Sequence, residues 1–138
     1  MRLWLTAALA MTGIGAVCAD VTVGANGGII RAAGDHQFEL VVKPQREVRE
    51  TPIVLFITDR DGKPVETKDA RGHADFSSGG LKGRATLHAD GANRMKGYGL
   101  MSAKPDLLID VSISFPGHAS LHAQFKPLDQ TGRSPTPQ

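Results

Sequence analysis

Ile53-Val54-Leu55-Phe56-Ile57 is a run of five apolar residues, three of them β-branched. Such a run suits a strand covered on both faces. The polar stretch Asp59 to Pro64 follows and carries Asp61-Gly62, a pair that tolerates the positive φ of a tight reversal. Val65 resumes an extended segment, so the expected unit is a hairpin whose first arm crosses the core.

Elsewhere the pattern has a period of two, the spacing that puts alternate side chains on one face of a strand. His36, Phe38, Leu40 and Val42 share one side of their segment. Ala85, Leu87 and Ala89 alternate with Arg84, Thr86 and His88. The cleanest case is Leu107, Ile109, Val111, Ile113 and Phe115, followed after Pro116-Gly117 by Leu121, Ala123 and Phe125. Those last two segments are expected to pair as an antiparallel hairpin. Shorter strands are expected at Asp20–Val23, at Ile29–Arg31, at Val65–Lys68, at Ala70–Phe76 and at Arg94–Leu100. Turn signals recur at Asn26-Gly27-Gly28, Gly34-Asp35, Gly79-Gly80 and Asp90-Gly91. Beyond the first residues, no apolar stripe at helical spacing runs for as long as a helix needs. The pattern predicts an all-β, immunoglobulin-like antiparallel sandwich of about seven or eight strands.

Residues 1–19 change the picture of where the chain acts. Met1-Arg2 is positively charged, Leu3 to Val17 is uncharged and mostly apolar, and Val17-Cys18-Ala19 places small residues for cleavage before Asp20. The apolar run is shorter than the ~20 residues a spanning helix needs. A cleaved export signal and a periplasmic location are expected, with lipidation at Cys18 as the alternative to its removal. Cleavage leaves 119 of the 138 residues and no cysteine, so residues 20–127 must be held by a core without disulfides. Residues 128–138 are rich in Pro, Thr and Gln and read as a disordered tail.

Composition excludes more than it selects. Lys plus Arg number 16 against 14 for Asp plus Glu, and removing Arg2 narrows the difference further. That balance gives no electrostatic footprint for nucleic acid or an anionic membrane. The single Trp, Trp4, lies in the leader, so no stacking platform is evident. Asp59-Arg60-Asp61-Gly62 opens like a calcium loop, but its twelfth position is Ala70 where a bidentate Glu is required. Gly79 to Arg84 lacks the Gly-Lys-Ser/Thr ending of a phosphate loop. No nucleophile context stands out, and no enzyme is expected.

What remains is donor chemistry. Imidazoles suit copper and zinc, and thioethers favour Cu(I). The candidate ligands are His36, His73, His88, His118, His122, Met95 and Met101. His73-x-Asp75 and His88-x-Asp90 each put an imidazole and a carboxylate on one face of a strand, while Met95 and Met101 bracket Gly97-Tyr98-Gly99. Each also has a plainer reading, as solvated surface for the histidines and core filler for the methionines.

Several segments together resemble a known family. These are Gly27-Gly28, Gly34 to Val41, Leu55 to Asp59 with Gly62-Lys63-Pro64-Val65, Ala70-Arg71-Gly72, Phe115-Pro116-Gly117 and Ala123-Gln124-Phe125. They are similar to small periplasmic β-domains that accompany heavy-metal efflux systems of the resistance-nodulation-division type, standalone or as part of the periplasmic adaptor. The resemblance implies a copper- or zinc-binding accessory protein with the efflux adaptor as a possible partner, and it carries His36 over as a ligand. Family members often have a His directly before the Gly-Gly pair, where this chain has Asn26. The competing expectation is an interaction module that docks a partner through an exposed sheet edge.

Overall fold

The computed structural model describes residues 22–128; the leader, Cys18 and the tail beyond Leu128 lie outside the described residues. Eight strands form in chain order: β1 (Ile29–Ala33), β2 (His36–Val42), β3 (Arg49–Asp59), β4 (Arg71–Ser78), β5 (Leu81–Ala89), β6 (Arg94–Met101), β7 (Leu108–Ser114) and β8 (Leu121–Phe125). No helix occurs among the described residues. Every ladder is antiparallel, and the strands follow the order β1-β2-β3-β6-β5-β4-β7-β8.

One strand belongs to both layers. From Leu81 to Leu87, β5 pairs with β4; at His88 and Ala89 it pairs with Lys96 and Met95 of β6. The ladder therefore folds back as two layers, β1-β2-β3-β6 and β5-β4-β7-β8, joined through β5. The pairs β3–β6, β6–β5, β4–β7 and β7–β8 reproduce the B–E, E–D, C–F and F–G pairs of immunoglobulin-like sandwiches. On the open side, β1 and β8 lie alongside each other without a ladder between them.

Alternation decides the core. Phe38 and Leu40 from β2, Ile53, Leu55 and Ile57 from β3, and Met95 and Met101 from β6 face Phe76, Leu87, Ile109, Ile113 and Phe125 from the other layer. Each large side chain so buried contributes about 1.5–3 kcal/mol. Leu128 packs half-buried against the same cluster.

Two local expectations are corrected. The run Ile53 to Ile57 is not covered on both faces: its odd-numbered members are fully buried, while Val54 and Phe56 are half-buried on the outer surface and Pro52 is exposed. The hairpin after Asp61-Gly62 is also minimal. Gly62 takes φ 81° and Asp59 Oδ1 accepts from the backbone N–H of Asp61 and Lys63, both at 2.9 Å. The returning arm then makes a single bridge, Thr58 to Pro64, and residues 65–68 form no strand. Pro64 has no N–H to extend a ladder, and the chain leaves at once for the second layer.

Candidate functional site

The end of the sandwich that carries the β3–β4 and β7–β8 connections is where immunoglobulin-like domains place binding loops. Thr67, fully buried, fixes the first of these. Its hydroxyl lies 3.1 Å from the Arg94 carbonyl and 3.2 Å from that of Gly91, and its N–H donates to the Ala92 carbonyl at 2.9 Å. Glu66 and Lys68 are thereby held on either side of an anchored residue. The second connection is a tight turn in which His118 N–H donates to the Phe115 carbonyl at 3.2 Å, with Gly117 at φ 75°.

Between these loops and the β1–β2 turn lies a cavity of about 750 Å³. Asp35, His36, Val65, Glu66, Lys68, Asp69, Phe115, Pro116, His118, Ala119 and Leu121 line it. Two of the seven candidate ligands, His36 and His118, thus reach one place. The His36 ring stacks on Phe115 with centroids 5.8 Å apart and planes 20° apart. Its Nδ1 is buried and has no hydrogen-bond partner, the only such side-chain atom found among the described residues. Three carboxylates and one ammonium line the cavity, and Arg60, which does not line it, engages Asp35. The lining is acidic on balance, which raises the local concentration of cations.

The other candidates are dispersed. Met95 and Met101 are fully buried in the core, where a flexible thioether fills space between layers. His88 is exposed beside Lys96, and the neighbouring Asp90 carboxylate accepts from Arg94 at 2.8 Å. His122 Nδ1 lies 2.7 Å from the Ser112 hydroxyl on the outer surface of the second layer. His73 Nε2 stands 3.7 Å from Asp75 on that surface, but Arg84 already grips this carboxylate through Nε and Nη2 at 2.6 and 3.0 Å. No group of three or more His, Cys, Asp or Glu side chains is arranged to hold a metal among the described residues. The cavity thus gathers two imidazoles on its lining without the three or four converging ligands of a closed structural metal site.

Asn26, where the resembled family has a histidine, has a structural task. Its N–H and side-chain amide donate to the Glu39 carboxylate at 2.8 and 3.0 Å, and Gly28 N–H adds a third bond at 3.0 Å. A buried carboxylate so satisfied clamps the turn before β1. The pattern Asn-Gly-Gly marked the turn in the sequence, but its distant partner Glu39 carried no local signal.

Arg84 holds the Asp75 carboxyl below the usual carboxylate range, chiefly through the side-chain hydrogen bonds, and partial desolvation opposes the shift. A depressed folded-state value means that the pair stabilises the fold above the unfolded carboxyl pKa of about 4 and loses that effect as the pH falls through the folded value. The expected result is that Arg84→Gln lowers the urea midpoint at about pH 7, and lowers it by less at a pH below the unfolded carboxyl value of about 4, where the pair's contribution is being lost. An equal loss at both pH values would assign the effect to packing of the Arg84 stem.

Docking through an exposed sheet edge, the competing expectation, concerns the two end strands. Here the two end strands, β1 and β8, flank each other, and Leu121 packs close to Gly34.

No family profile matches the chain, and none of the curated proteins is similar to it in sequence. Among solved structures, it is similar to that of a DUF4426 family protein from Pseudomonas aeruginosa PAO1, at 18% identity and a TM-score of 0.49. The likeness covers 70% of this chain and 91% of that one.

Proposed function

We propose that the chain is an exported, non-catalytic protein that holds a copper- or zinc-class cation loosely at the loop-end cavity and gives it up again, a periplasmic buffer serving a heavy-metal efflux system. The observation that carries this reading is that His36 and His118 line one acidic cavity, with the buried His36 Nδ1 unpartnered. The export-like leader and the resemblance to efflux-associated domains support it. Two imidazoles with water completing the shell make an exchangeable site, whereas structural zinc takes four protein ligands. Weak holding is what a buffer that must release its ion to an adaptor requires. His36 and His118 are the ligands in this reading; Glu66 and Asp69 attract the cation without binding it.

Calorimetric titration of the purified chain with Zn(II) and Cu(II) tests the proposal. One ion per chain is expected, with a Kd of about 1 μM. His36→Phe, which keeps the ring stacked on Phe115 but removes its nitrogens, and His118→Ala should each weaken binding roughly tenfold or more, a loss of about 1.4 kcal/mol. His88→Ala, away from the cavity, should change nothing. Binding no tighter than about 10 μM, or binding that survives both cavity substitutions, ends the metal reading.

A further inference from the structure

The turn before β1 carries the one Asn-Gly step of the chain, Asn26-Gly27; the other asparagine, Asn93, is followed by Arg94. An asparagine followed by glycine loses its side-chain amide readily without an enzyme, because the glycine nitrogen has no side chain beside it to crowd the asparagine Cγ. Both residues are exposed, and nothing lies within 4 Å of a Cβ built on Gly27. A cyclic product therefore has room there, and water has access.

What holds the pair unreacted is the clamp on Glu39. Asn26 Nδ2 donates to Glu39 Oε2 at 3.0 Å and Asn26 N–H to Oε1 at 2.8 Å. The Gly27 N–H, which the reaction must free, donates to the Gly24 carbonyl at 3.0 Å. Gly28 N–H completes the set on Oε1, and the residue that receives all three bonds is only 8% exposed. Reaction waits on an opening of this turn, and its rate falls in proportion to the open population.

We propose that Asn26 is a spontaneous deamidation site guarded by Glu39, and that the reaction, once it has occurred, keeps the turn open. In the open turn the Gly27 nitrogen gives its proton to solvent and bonds to Asn26 Cγ. The Cγ–Nδ2 bond breaks, and Nδ2 takes a proton from water and leaves as ammonia. Water then opens the five-membered imide: its hydroxyl adds to one of the two carbonyl carbons and its proton returns to the nitrogen. One water enters and one ammonia leaves. Opening at one carbonyl gives aspartate, and opening at the other gives isoaspartate, with the main chain routed through the former side chain.

Neither product can remake the clamp. Where Nδ2 faced Glu39 as a donor, the aspartyl product presents an oxygen, and an ionised carboxylate has acceptors alone. Two acidic groups then meet with no proton between them. The isoaspartyl product lengthens the main chain by a methylene inside a turn that Gly24 N–H closes on the Gly28 carbonyl at 2.8 Å. Residues 22–28 are thereby loosened from β1, to which the Ile30 N–H ties the Thr22 carbonyl at 3.0 Å.

Incubating the full chain at mildly alkaline pH, followed by peptide mapping by mass, tests the guard. Deamidation at Asn26 should be about tenfold or more slower in the folded chain than in the same chain in urea. Glu39→Ala should bring the folded rate to within about threefold of the unfolded one. Amide exchange tests the consequence. Asn26→Asp, the aspartyl product made directly, should speed exchange at Gly28 and Ile30 about tenfold or more while leaving β7 unchanged. Adding Glu39→Gln to it should restore protection: the new amide nitrogen donates to the aspartate, and its oxygen still accepts from the backbone N–H groups at positions 26 and 28. Should Glu39→Ala fail to fold, the exchange measurements decide alone. No reaction at Asn26 in urea, or equal rates in the folded and unfolded chain, overturns the proposal. So does an Asn26→Asp turn as protected as the unsubstituted one, or a double variant no better than the single. None of these outcomes depends on whether a metal binds.

Discussion

Replacing Gly97 with alanine should cost about 3 kcal/mol or more, the largest single-methyl effect expected in the molecule. Gly97 sits in β6 opposite Ile53, where β6 passes close to β5. A Cβ there would stand 2.3 Å from the Thr86 carbonyl oxygen and 2.9 Å from Leu87 Cδ2. The nearer atom is backbone, and it lies beside His88 and Ala89, the only two residues through which β5 pairs with β6. Relief therefore requires the two layers to part at their covalent and hydrogen-bonded corner. Gly80, at φ 85° with no atom within 4 Å of its built Cβ, provides the contrast. Alanine there meets only the left-handed backbone penalty of about 1–2 kcal/mol. Urea unfolding of the two variants should separate them clearly; equal losses would mean that the β5–β6 crossing is loose.

Phe125→Ala should cost about 3–5 kcal/mol, the range for removing a fully buried aromatic side chain. Phe125 is wholly buried and closes the far end of β8, which is only five residues long and laddered on one side alone. Little else holds that strand: Ala123 is small, and Leu121 is half-buried. Native-state amide exchange should show the loss concentrated in β8 and in its β7 partners from Ile109 to Ile113. Phe125→Leu, which leaves a smaller void, should recover at least half of the difference. Uniform acceleration across all strands would show instead that β8 opens only with the whole sandwich.

The strands of the second layer were the most legible in the sequence. From Ile109 to Ser114 and again from Leu121 to Phe125, apolar and polar residues alternate strictly because one face meets the core and the other meets water, and the structure places β7 and β8 as expected. Between Ile53 and Ile57 alternation of polarity is absent, so the sequence could not distinguish a covered strand from one with an apolar outer surface. The half-buried Val54 and Phe56 show it to be the latter. Glycine spacing around Tyr98 suggested a frame for methionine ligands; physically, Gly97 and Gly99 admit the close approach of Thr86 and of the Phe76 ring. The histidines were legible as residues but not as neighbours. Only the turn chemistry at Gly34 and Gly117 brings His36 and His118 to one cavity, across more than half the length of the chain.

The meeting of β1 with β8 has a consequence for how the chain must be ordered. Joining Ala33 to Leu121 in an otherwise formless polypeptide closes a ring of about 90 residues, an entropic cost near 4 kcal/mol by the logarithmic rule. With the six inner strands already zipped, the same ends are brought together by the ladder itself and most of that cost has vanished. The flank where the first and last strands touch is thus a product of assembly and not its seed.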